Sequence, residues 1–66
     1  MTVGIVGLGL IGGSFAKAYH AAGHQVLAFD TDQSVYDFAA LSGAVNGPLT
    51  DETLPECDLI LIAVYP

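Results

Sequence analysis

The chain has 66 residues, the size of one small domain or of part of a larger one. Although a chain this short buries only about 60% of its unfolded surface, 53% of it is hydrophobic, as expected of a segment whose sheet is covered on both faces. Seven acids against one lysine, Lys17, give a formal net charge of −6, which excludes a basic patch for nucleic acid or for an anionic membrane surface.

Any phosphate partner therefore has to be held by backbone N–H groups and a helix terminus. Cys57 is the only cysteine, so no intramolecular disulfide forms and nothing points to secretion. The apolar stretch Val3 to Ile11 is too short to span a bilayer, is broken by glycines and lacks a basic leader. Neither anchor nor signal peptide is expected, and the default compartment is the cytoplasm.

Thr2-Val3-Gly4-Ile5-Val6 is a β-branched run ending at Gly7, which predicts a buried strand. From Ile11 the spacing becomes helical: Ile11, Phe15, Ala18 and Ala22 recur, and Gly23 supplies the stop. Gln25 to Phe29 is a second strand closed by Asp30. A second helix carries Val35, Phe38 and Ala39, capped by Asp32 or by Ser34 with Asp37 as a capping box, and stops at Gly43. Ala44-Val45-Asn46 fits a brief third strand, Gly47-Pro48 a turn, and Pro55 limits any helix in Asp51 to Asp58 to a turn or so. Leu59 to Val64 is a continuous apolar strand. The order β-α-β-α-β-β predicts an α/β fold with a parallel sheet and right-handed crossovers.

Gly7-Leu8-Gly9-Leu10-Ile11-Gly12 spells G-x-G-x-x-G. Alone the string is weak. Here it follows a strand, opens a helix and sits in a βαβ unit of about 30 residues whose second strand ends in an acid. Gly7 permits the tight turn, Gly9 lets a pyrophosphate approach the main chain, and Gly12 lets the helix pack closely on the sheet. The helix N-terminus adds unpaired N–H groups and about half a unit of positive charge. Asp30 lies 18 residues after Gly12, near the ~20 expected of the acid that binds an adenosine ribose. It would repel a 2′-phosphate, and the chain has no arginine to neutralise one, so NAD is favoured over NADP. Asp32 suits a helix cap better than a ribose ligand.

Other polar residues say less. His20 and His24, one turn apart, have no third ligand nearby and fit a solvated helix end. Lys17 belongs to the exposed helix face. Ser14 is either a donor to a phosphate oxygen or a small first-turn residue. Cys57 has no catalytic partner, and Tyr19, Tyr36 and Phe38 fit the core or its margin.

GLGLIGGS, the acidic FDTD after the second strand, the helix ending ALSGAV and the strand CDLILIAVYP together resemble the prephenate/arogenate dehydrogenase family. The resemblance covers nearly all of the chain but only the N-terminal part of that family's nucleotide-binding domain. It implies a partial Rossmann-type parallel sheet, truncated after the fourth strand, within an enzyme that oxidatively decarboxylates prephenate or arogenate on the route to tyrosine, passing hydride to NAD or NADP. By resemblance Gly7, Gly9, Leu10, Ile11 and Gly12 line the pyrophosphate and Asp30 the ribose, Thr31 also belongs to the cofactor-binding set, and Val64 and Tyr65 begin a loop beside the cofactor. Tyr65 stands where that family often has proline. No catalytic residue carries over, because the family's catalytic histidine and substrate carboxylate-binding groups come after the fourth strand and from a helical second domain.

Residues 1–66 are thus expected to be the N-terminal portion of a dinucleotide-binding domain. The rest of that domain, a substrate domain and a homodimeric state are expected of the parent, and the small-molecule substrate binds through those further regions. The β-hydroxyacid dehydrogenases resemble the chain less, since they usually carry methionine where Ile11 stands. Pyrroline-carboxylate reductases and a non-catalytic nucleotide-binding module are the other readings. An edge made of Leu59 to Val64, with no charge or proline to block pairing, predicts that the isolated 66-mer self-associates or folds poorly.

Overall fold

A computed structural model describes residues 1–63. The elements in chain order are β1 (Thr2–Val6), α1 (Leu10–Ala21), β2 (Gln25–Phe29), α2 (Gln33–Leu41), β3 (Gly47–Pro48), a 3₁₀ turn (Leu54–Glu56) and β4 (Leu59–Ile62). All pairings are parallel and the strand order is β3-β2-β1-β4. β1 pairs along its length with β2, from Thr2↔Gln25 to Val6↔Phe29, and with β4 from Val3↔Leu59 to Val6↔Ile62. The expected α/β class and the partial Rossmann-like sheet are both present. Among the described residues no helix is long and apolar enough to cross a membrane.

Strand alternation divides the sheet into two faces. Val3, Ile5, Val26 and Ala28 point to the helices and form the core with Leu8, Ala16, Ala44 and Val45. Tyr19 from α1 and Val35, Tyr36 and Ala39 from α2 pack against it. Val3, Ile5 and Val26 are fully buried, each worth about 1.5–3 kcal/mol relative to exposure. On the second face Gly4 lies beneath Cys57 and Leu49. A Cβ there would stand 2.9 Å from Cys57 Sγ. Burial, then the neighbouring Glu56 and Asp58 carboxylates, push the Cys57 thiol up and keep it protonated. Phe29, Ile60 and Ile62 remain exposed on this face.

α1 forms where the helical spacing places it, and Gly12 packs closely as expected; Ala16 is buried with it, while Ile11, Phe15, Ala18 and Ala22 are exposed. Close packing selects small residues there, and it is the smallest side chains, not the most apolar, that meet the sheet. The third strand is Gly47–Pro48 rather than Ala44-Val45-Asn46. Pairing begins when Asn46 Oδ1 accepts the Val26 N–H at 2.8 Å and the Asn46 N–H donates to the Val26 carbonyl at 2.7 Å. Pro48 has no N–H to give, which an edge strand tolerates, and Leu49 donates to the Ala28 carbonyl instead. Ala44 and Val45 serve the core from the preceding loop. Phe38 is 75% exposed and no part of the core. β4 ends at Ile62, although the Ala63 N–H still donates to the Val6 carbonyl; Val64 lies outside the described residues.

Candidate functional site

The C-terminal ends of β1 and β2 bring the glycine turn and the strand-end acid together. β1 continues its ladder to the Gly7 N–H, which donates to the Phe29 carbonyl at 2.8 Å. Gly7 then takes φ 96°, a left-handed conformation that costs about 1–2 kcal/mol for a residue bearing a Cβ. The chain turns through Leu8, whose side chain is buried in the core, and enters α1 at Gly9. A Cβ on Gly12 would stand 1.7 Å from the Gly7 carbonyl oxygen. The third glycine is required because the first turn of α1 lies directly against the turn that precedes it.

The head of α1 is open. Its N-cap, Gly9, offers no side-chain hydrogen bond, and no acid occupies the first turn. The first helical amide with a carbonyl partner is that of Gly13, bonded to Gly9 at 2.8 Å. Those of Leu10, Ile11 and Gly12 have no acceptor among the described residues. Leu10 and Ile11 are themselves exposed. Three adjacent donors and the positive end of the helix dipole make a site for an anion, in a chain whose side chains carry almost no positive charge. Ser14 adds nothing to this donor set in the structure, since its Oγ donates to the Leu10 carbonyl at 2.8 Å.

Asp30 follows β2 directly and is half-buried beside the turn. Its Oδ2 accepts the Leu8 N–H at 2.7 Å and its Oδ1 accepts the Asp32 N–H at 2.8 Å. A carboxylate has about four acceptor sites, so roughly two are left, enough for the two hydroxyls of a ribose. Thr31 is exposed in the loop beyond it. Asp32 caps α2: its Oδ1 accepts from the Ser34 N–H at 3.0 Å and the Ser34 hydroxyl at 2.6 Å. These bonds, the hydroxyl first, lower its pKa. The alternative capping box is not formed, as Asp37 instead accepts from Gln33 Nε2.

The remaining residues are scattered. His24 Nδ1 lies 3.0 Å from the N-terminal amine at the opposite end of α1, against the Tyr19 ring. Among the described residues no three His, Cys, Asp or Glu side chains gather to hold a metal. Lys17 lines a groove of about 500 Å³ between α1 and α2, with Leu10, Val35 and Phe38. Val64 and Tyr65, expected beside a cofactor, lie outside the described residues. Residue type gave no sign of the Leu8 amide, because every non-proline residue carries the same donor; only the turn's path aims it at Asp30.

A strand, a glycine turn, a helix with bare leading amides and a second strand closed by an acid define a nucleotide-binding α/β unit. Residues 1–65 match the D-isomer specific 2-hydroxyacid dehydrogenase, NAD binding domain family, and the chain belongs to that family. Its cofactor is accordingly NAD, and the residues fit it: the open amides suit a diphosphate and the half-satisfied carboxylate suits a diol. The family differs from the prephenate/arogenate dehydrogenases that the motifs resemble. The two agree on the coarser point, a NAD-binding domain of a dehydrogenase. No solved structure matches the chain.

Proposed function

We propose that residues 1–66 are the N-terminal, NAD-binding portion of an oxidoreductase that oxidatively decarboxylates prephenate. The observation that carries the binding site is the open head of α1 beside Asp30, with Leu10, Ile11 and Gly12 amides lacking acceptors among the described residues. GLGLIGGS, FDTD and CDLILIAVYP favour prephenate as the substrate class. Bound NAD supplies the hydride acceptor. The chain's own residues anchor it: the α1 amides grip the pyrophosphate bridge, Gly7 and Gly12 hold the turn, and Asp30, with Thr31 beside it, receives the adenosine ribose. By the family resemblance, the proposed cofactor-binding set also includes Val64 and Tyr65. Asp30 would repel a 2′-phosphate, so NADP is disfavoured.

No residue here is assigned to the chemical step. The rest of the domain, the substrate site and a homodimer interface belong to the parent, in the cytoplasm. Phe29 and Ile62, exposed on the second sheet face, support that division. The matched family favours a second reading, oxidation of a D-2-hydroxy acid. The test is NADH formation by the parent enzyme given NAD with prephenate, arogenate or D-lactate. Turnover of prephenate is expected; turnover of D-lactate alone overturns the first reading in favour of the second, and turnover of none overturns both.

A further inference from the structure

The carboxylate expected to meet the ribose is already bonded to the glycine turn. Between Gly7 and Gly9 the chain is neither strand nor helix, and Leu8 fastens the middle of this turn. Its side chain is buried in the core and its N–H is held at 2.7 Å by Asp30 Oδ2 in a partly buried position. The other oxygen, Oδ1, is fixed at 2.8 Å by the Asp32 N–H, and Asp32 in turn caps α2. The carboxylate cannot rotate without breaking one of two charge-assisted hydrogen bonds. It therefore ties the glycine turn to the start of α2 and sets the angle at which Leu8 delivers the chain into the open head of α1.

We infer that Asp30 is a positioning residue for the pyrophosphate site as well as a ribose ligand. Removing it leaves the Leu8 N–H without its acceptor, and the turn loses one of the two contacts that fix its middle, the buried Leu8 side chain being the other. The leading amides of α1 then lose their alignment on the diphosphate, although Asp30 does not itself touch that group. This inference rests on the proposed NAD site and adds a second role to one of its residues. A pure ribose ligand would matter only to molecules with ribose hydroxyls; a pin for the turn matters to any diphosphate.

The experiment compares ADP with 2′,3′-dideoxy-ADP, which keeps the diphosphate and adenine but lacks both hydroxyls. Affinities come from amide-shift titrations of the wild type and of Asp30→Ala, with amide exchange at Leu8 measured without ligand. The expected result is that dideoxy-ADP weakens about tenfold in the variant and ADP weakens further. Leu8 exchange accelerates while Val3 and Ile5 in β1 keep their protection, which a general loss of stability would not produce. Asp30→Asn keeps one acceptor oxygen and falls between; it replaces the alanine variant if that fails to fold. Unchanged dideoxy-ADP affinity with unchanged Leu8 exchange, while ADP alone weakens, overturns the pin and leaves the NAD site standing. Failure of the wild type to bind either nucleotide overturns the NAD site, and Leu8 exchange still decides the pin.

Discussion

The two helices lie on one face of the same sheet and begin in opposite ways. At the head of α2, Asp32 accepts from the Ser34 amide and hydroxyl, so a side chain of the protein itself caps the helix and satisfies one leading amide. At the head of α1, glycine occupies the cap, no acid enters the first turn and the leading amides have no acceptor among the described residues. Both helices have the same need at this end, because the first N–H groups of any α-helix lack intrahelical partners. α2 meets part of it from its own sequence and carries a carboxylate at its head. α1 meets none of it from a side-chain cap, and that is why the anion site is proposed there.

The sharpest way to break this contrast is Gly12→Val. A Cβ at residue 12 meets the Gly7 carbonyl carbon and oxygen, both backbone atoms, so either α1 or the turn has to move. Chemical denaturation should show a loss of about 3 kcal/mol together with NAD binding. A variant of native stability would mean that the close approach is not required. Gly9→Asp makes α1 resemble α2 by giving it a side-chain cap. Folding stability should rise by only a few tenths of a kcal/mol, whereas calorimetric titration should find NAD affinity at least about tenfold weaker through competition and like charge. Unaltered affinity would show that the cofactor does not use this end of the helix.

Asp32→Ala removes the closed cap. It should lower folding stability measurably in chemical denaturation and leave NAD affinity as it was, since the Asp32 amide that steadies Asp30 is retained. Acid gives a smaller effect of the same kind. The Asp32 pKa is lowered in the fold by its bonds to Ser34, so its contribution is complete above the unfolded value of about 3.9. It disappears as pH falls through the lower folded value. Fraying of α2 at its first turn, followed by the amide shifts of Ser34 and Val35, should therefore begin only below about pH 4, and Asp32→Ala should abolish that titration.

Much of this was legible in the residues. β1, β2 and the start of β4 follow from β-branched and apolar runs, and the glycine spacing marks the turn because a close approach of backbone tolerates no other side chain. Asp30 is found by counting from Gly12. Of the buried face of α1, Gly12 was legible from the glycine spacing and Ala16 was not, since hydrophobic spacing points to Ile11 and Phe15, which are exposed. β3 was hidden because Gly47-Pro48 spells a turn locally and pairs only through the neighbouring Asn46 and Leu49. The choice of cap for α2 could not be made either: Asp32 and Ser34 both suit the position, and only the geometry shows one accepting from the other. The bond from Leu8 to Asp30 joins residues 22 apart and involves a donor with no identity in the sequence.

The central claim concerns three amides, and they can be watched one at a time. In a titration of the isotopically labelled protein with NAD, the Leu10, Ile11 and Gly12 resonances should show the largest shifts and the greatest gain in protection from exchange. Gln33, Ser34 and Val35 at the closed head of α2 should stay nearly still. Binding that leaves Leu10 to Gly12 unmoved while residues elsewhere respond would contradict the assignment of the cofactor to the open end of α1.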